Sequence, residues 1–283
     1  MQKLQVYQSL WAMEQRHPDL PERSPEEAFN MIAGAGYDGV CLDPGLADLP
    51  GYEPTRHLFD EHNLGCMFNA FPHTADELQP LLDAAASYNA RQVNVIGELM
   101  PIDYRDAIPI IRRWMAEASV MHIPLMLETH RNSMLNDLHF TLQIIAAVPE
   151  LRLCADLSHF VVDREFELPL CDRDRDYIQR ILTRSDCFQG RVASREQIQI
   201  QIDFPQHREW VDLFKAWWKT GMRLWRQRNA EDATLVFLCE LGPPNYAITD
   251  ARGYELSDRW HEALKIKAWV QQIWRELDQE LSS

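Results

Sequence analysis

The sequence predicts an α/β fold, a (β/α)8 TIM barrel formed as a single domain over residues 1–283, and three observations carry that prediction. Short apolar runs recur with helical patterns between them, the alternation that builds a parallel sheet. Eight such runs can be counted, beginning near Leu4, Gly39, Gly65, Gln92, Ile123, Leu151, Cys187 and Thr234, which is the strand number of this barrel. No stretch rich in Pro, Gly or Ser divides the 283 residues, a length that α/β barrels commonly reach as one domain.

Taken in order, the first strand spans Leu4 to Leu10. The helix after it, Pro25 to Gly34, opens with Ser24-Pro25-Glu26-Glu27, an N-cap, a proline at the first helical position and two acids in the first turn. Gly39 to Leu42, a short helix over Thr55 to His62 and Gly65 to Asn69 follow. A helix capped by Thr74 then runs through Tyr88, before a strand at Gln92 to Ile96 and a helix over Tyr104 to Val120. The strands Pro124 to Leu127 and Leu151 to Cys154 come next, and a connection rich in Asp, Glu and Arg spans Val162 to Arg175. A helix at Asp176 to Leu182 leads to a strand over Cys187 to Ala193. The long helix His207 to Asn229 carries Trp210, Phe214, Trp217, Trp218, Met222 and Trp225 at three-and-four spacing, a buried face that serves core packing or a contact in a homo-oligomer. Thr234 to Cys239 is the last strand, and Asp258 to Leu277 closes the chain as a helix.

Hydrophobic residues at 46% and charged residues at 25% match ordinary globular proteins and exclude disordered and fibrous classes. The net charge of −15, from 28 Lys+Arg against 43 Asp+Glu, argues against nucleic acid as a partner, because phosphate binding needs a basic footprint. Six cysteines lie without CxxC spacing, as buried free thiols of a reducing compartment would. The N-terminus has no charged segment followed by a long apolar one, and no apolar run approaches the roughly 18 residues of a membrane span. The expectation is a cytoplasmic protein with no membrane partner.

The carboxyl ends of parallel barrel strands share one mouth, so polar side chains that end several strands meet there. Glu128 and His130 end the fifth strand, Asp156 and His159 the sixth, Gln189 and Arg191 lie in the seventh, and Glu240 ends the eighth. An unpaired carboxylate at the end of a buried strand is costly. One divalent ion shared by Glu128, Asp156 and Glu240 would remove that cost, and such oxygen-rich ligands suit Mn²⁺, Mg²⁺ or Co²⁺, with Zn²⁺ also admissible. The plainer alternative is a strand-end acid in a salt bridge with Arg131 or Arg191.

The segments ETHR at 128–131, ADLSH at 155–159, RVAS from 191 with Gln199, and ELGPP at 240–244, with SLW at 9–11 and YDGVCLD at 37–43, resemble the sugar phosphate isomerase/epimerase family of the xylose isomerase-like TIM-barrel superfamily. The resemblance implies one divalent metal held by Glu, Asp, His and Glu from strands five to eight. Glu128, Asp156 and Glu240 match the first, second and fourth places, and the third, usually a histidine just before the Arg-Val pair, is Gln189 here. A glutamine oxygen can ligate a hard cation but is weaker toward zinc than an imidazole. The activity implied is isomerisation or epimerisation of a small sugar or sugar-derived keto compound through a metal-stabilised enediolate. Glu128 and Glu240 would be its base and acid, and His130, Arg131, His159, Arg191 and Gln199 would bind the substrate. Two other functions stay open: a metal-free regulatory barrel, kept alive by Gln189, and an abasic-site endonuclease-like metal hydrolase. The acidic balance and the scarcity of histidine at strands two to four count against the hydrolase.

Overall fold

A computed structural model describes residues 1–282. Eight strands close into a barrel in sequence order, every neighbouring pair parallel: β1 (Lys3–Ser9), β2 (Gly39–Leu42), β3 (Gly65–Ala70), β4 (Val93–Val95), β5 (Leu125–Glu128), β6 (Leu153–Ala155), β7 (Ser185–Gln189) and β8 (Thr234–Cys239). Closure runs from Lys3 beside Thr234 to Gln8 beside Cys239. The outer layer holds α1 (Pro25–Gly34), α2 (Leu49–Tyr52), α3 (Arg56–His62), α4 (Leu78–Ser87), α5 (Tyr104–Val120), α6 (Leu138–Ala147), α7 (Leu157–Asp163), α8 (Asp172–Leu182), α9 (Arg208–Arg228) and α10 (Arg259–Ser282). The predicted (β/α)8 barrel is therefore what forms.

Local chemistry sets the element boundaries. Ser24 and Glu27 make the reciprocal capping box at the start of α1. The expected cap at Thr74 does not form: its side chain accepts no backbone hydrogen bond, and the Glu77 carboxylate instead accepts from the His73 N–H at 2.8 Å. The acidic connection after β6 is not all loop. Asp156 caps α7 there by accepting from the Ser158 N–H at 3.0 Å, and α8 starts at Asp172, where two first-turn acids favour the helix N-terminus. β7 stops at Gln189, so Arg191 lies just beyond the strand rather than within it. Gly190 has no room for a side chain, since a Cβ would come within 2.7 Å of Phe237.

The aromatic face of α9 packs inward. Phe214, Trp217, Trp218, Met222 and Trp225 are buried, and Trp218 meets Phe237 of β8 edge-on at 5.3 Å. All six cysteines are free, and all but Cys171 are buried. No helix among the described residues is long and apolar enough to cross a membrane.

Strand alternation decides what the mouth of the barrel displays. Tyr7, Cys41, Met67, Met126, Cys154, Cys187, Val236 and Leu238 form one buried cluster inside the barrel. Side chains two residues further on share their face. That step gives Ser9, Asp43, Asn69, Glu128, Asp156, Gln189 and Glu240.

Candidate active site

Each strand-end residue is carried past an apolar interior layer to the mouth, so the polar groups sit above a dry floor and must satisfy one another. Glu128, Asp156, Gln189, Arg191 and Glu240 are all buried, at 4% exposure or less. Oxygens of Glu128, Asp156 and Glu240 lie within 4.8 Å of one another. The Gln189 amide donates to Glu128 Oε2 at 2.5 Å. Arg191 spans the other two acids, with Nε 3.2 Å from Asp156 Oδ2 and Nη2 donating to Glu240 Oε2 at 2.7 Å.

The first four strands add a second polar chain. Ser9 donates to Asp43 at 3.3 Å, and the Asn69 amide donates to both Asp43 at 2.9 Å and Glu240 Oε1 at 3.3 Å. Asn94 donates to Asn69 at 3.0 Å. A cleft of about 410 Å³ opens above, walled by Trp11, Phe71 and Tyr246 and reaching Asp43, His130, Arg191 and Glu240. Trp11 meets Tyr246 edge-on at 5.2 Å, and the Tyr246 ring lies 4.5 Å from the Arg191 guanidinium and 4.8 Å from that of Arg131. Such cation–π contacts hold an aromatic wall against the charged floor. Gly242 makes the approach feasible, because a Cβ there would fall 2.5 Å from Trp11.

Three carboxyl groups and Asp43 share a single guanidinium, and their proton affinities reflect that imbalance. Burial, reinforced by Glu240 and Asp156, pushes the Glu128 carboxyl well above the usual range. Burial raises Glu240 to about 8 against the pull of Arg191, and raises Asp43 to about 7 against hydrogen bonds from Asn69 and Ser9. Burial works against the Asp156 carboxylate too, but His159, Arg191 and Ser158 outweigh it and hold Asp156 below the ordinary range. Burial keeps both His130 and His159 below the usual imidazole value, so they are neutral near pH 7.

The structure brings together Glu128, Asp156, Gln189, Arg191, Glu240, His130 and His159, as the strand ends predict. The His159 Nδ1 accepts from the Arg131 backbone N–H at 3.2 Å, and Nε2 lies 3.4 Å from Asp156. Arg131 is exposed at the rim, with its side chain over Tyr246. Gln199 departs from the expected pattern. Its amide donates to the Gly242 carbonyl at 2.9 Å and accepts from the Gly242 N–H at 2.7 Å, so both ends are committed to holding the turn after β8.

Sequence reasoning left out Asp43, Asn69 and Tyr246. Asp43 carries the same signal as Glu128, an acid just after an apolar strand. Asn69 and Tyr246 carry no signal apart from their position.

The donor set fits a divalent cation. Glu128 Oε1 and Gln189 Oε1 are buried acceptors with no hydrogen-bond donor, an arrangement that is expensive unless a cation is shared, whereas Asp156 Oδ2 already faces Arg191 Nε at 3.2 Å.

No family model matches the chain, and no curated protein matches it. Solved structures do. A xylose isomerase-like TIM barrel protein from Mycobacterium smegmatis, in complex with magnesium, aligns at TM-score 0.62 and 14% identity over 96% of this chain and 97% of that one. A D-allulose 3-epimerase from Methylomonas sp. aligns at 0.62 and 13%, over 96% and 98%. An L-ribulose 3-epimerase aligns at 0.63 and 11%, over 98% and 96%. Over nearly its whole length, the chain has the fold of the xylose isomerase-like TIM barrels.

Proposed function

We propose that this barrel is a divalent-metal-dependent isomerase or epimerase of a small sugar or sugar-derived keto compound. The observation that carries the reading is the meeting of Glu128, Asp156 and Glu240 at one point of a buried mouth, with unpartnered oxygens on Glu128 and Gln189. These four residues would hold the ion. When bound, it supplies Lewis-acid polarisation of a substrate carbonyl. The fold shared with two sugar 3-epimerases supports a sugar substrate.

The chain's own residues then divide the work. Glu128 and Glu240 would take a proton from the carbon beside the carbonyl and return one. Arg191 keeps Glu240 aimed by its 2.7 Å bond and offers its remaining N–H groups to substrate oxygens. The rim residue Arg131 contacts the substrate, while His159 steadies Asp156. Gln199 acts through Gly242, fixing the turn that carries Tyr246. Trp11, Phe71 and Tyr246 shield the reacting carbon from water.

A metal-free binding barrel is the second reading, favoured by the placement of Arg191 between Asp156 and Glu240. An abasic-site hydrolase is disfavoured, because Asp43, Asn69 and Asn94 stand on β2 to β4 where that chemistry calls for imidazoles.

Two measurements separate the readings. Mn²⁺ at about a hundredfold excess over Kd should add about 2.7 kcal/mol of stability, a Tm rise of about 5 °C. No rise with Mn²⁺, Mg²⁺ or Co²⁺ leaves the metal-free barrel. With a panel of ketoses in D2O, wild type should exchange the proton beside the carbonyl, and Glu240→Gln should abolish the exchange while keeping the fold by circular dichroism. Retained exchange removes Glu240 from proton transfer.

A further inference from the structure

Resting on the metal-dependent reading, a further assignment concerns which side chain supplies nitrogen to the ion. Gln189 offers an oxygen. Two imidazoles stand beside the acids: His130 and His159 lie with ring centroids 4.2 Å apart, and a nitrogen of each lies within 4.8 Å of a Glu128 oxygen. They differ in which lone pair is free. The His159 Nδ1 accepts the Arg131 N–H, so its proton sits on Nε2, which faces Asp156. A nitrogen that carries a proton cannot ligate. His159 is thereby committed to orienting Asp156, as imidazoles that support a ligating carboxylate do.

The Nδ1 of His130 has no hydrogen-bond partner although it is buried. His130 follows Glu128 by two residues and lines the same cleft. The unpartnered acceptors thus include Glu128 Oε1, His130 Nδ1 and Gln189 Oε1, two oxygens and one nitrogen, whereas Asp156 Oδ2 lies 3.2 Å from Arg191 Nε. Glu240 contrasts with them, since Asn69 donates to one of its oxygens and Arg191 to the other.

We infer that His130, through Nδ1, is the nitrogen ligand of the metal site, joining it beside Glu128. One imidazole among oxygens moves preference from Mg²⁺ toward borderline ions such as Co²⁺ and Zn²⁺. The site therefore selects a transition ion, and it does so from the fifth strand.

The test uses the full chain loaded with one equivalent of Co²⁺. Proton NMR of the wild type should show one exchangeable, hyperfine-shifted imidazole N–H. His130→Ala should lose it and bind Co²⁺ at least about tenfold more weakly, by analogy with the loss on removing residues that only support a ligand. Its Mg²⁺ affinity should change less. His159→Asn should keep the shifted resonance. Persistence of the resonance in His130→Ala, or its loss in His159→Asn alone, overturns the assignment. Tight Co²⁺ binding by wild type with no shifted imidazole also overturns it while leaving the isomerase reading intact. Failure to bind any divalent ion overturns both.

Discussion

The two halves of the barrel end in opposite ways. At the ends of β1 to β4, Ser9, Asp43, Asn69 and Asn94 donate and accept among themselves, and none is left with a buried polar atom unpaired. After β5 and β7, Glu128, His130 and Gln189 each keep one acceptor unpaired. The four residues of the first half are satisfied as they stand. The second half is built to take something, because native proteins rarely leave buried acceptors without a donor. A shared barrel thus separates an internally paired arc from one that we propose to be reactive, and Asn69, which bonds both Asp43 and Glu240, is the stitch between them.

The largest disturbance to that division should come from Arg191→Met. It removes the one buried cation set against Asp156 and Glu240, and breaking such a pair typically costs about 3–5 kcal/mol. Urea unfolding should show the loss, and Mn²⁺ should restore part of it if the reactive arc is short of positive charge. Asn69→Leu should cost less, about 1–3 kcal/mol, by leaving Asp43 and Glu240 oxygens without their donor. Its affinity for divalent ions should stay within about tenfold of wild type, roughly 1.4 kcal/mol. A larger change would mean that the arcs are not separable.

The smallest effect lies outside both arcs and serves as a reference for them. Burial raises Glu262 on α10 to about 7, assisted by Asp203 and Glu255 and opposed by bonds from Ser257 and the Ile202 backbone. The folded state therefore holds this proton more tightly than the unfolded chain. The resulting stability is fully present below the unfolded value near 4.5 and is lost as pH rises through about 7. Glu262→Gln should flatten that part of the pH–stability curve measured by urea unfolding. An unchanged slope would mean the carboxyl does not titrate there.

The legible part of this molecule was the part governed by periodicity. Alternation of apolar runs and helices yields eight strands, and an acid after an apolar run marks Glu128, Asp156 and Glu240, because desolvation makes that placement costly without a reason. What stayed hidden depends on distance in space. Helix α7, just ahead of the charged stretch, was missed because Asp156, read only as a candidate site residue, also serves as its cap. The grip of Gln199 on Gly242 joins positions 43 residues apart, and no local pattern encodes it. The same holds for Arg191, whose two carboxylate partners come from β6 and β8.

The edge-on contact of Trp11 with Tyr246 has a consequence for the order in which the molecule assembles. Trp11 follows the first strand and Tyr246 the last, so these rings cannot meet until the two ends of the sheet have zipped together. The acids of β5 and β6 can gather earlier, from neighbouring segments of chain. A nascent or half-built barrel would therefore have the beginnings of a charged floor and no wall. The aromatic wall of the cleft is complete only once the β1–β8 seam has closed.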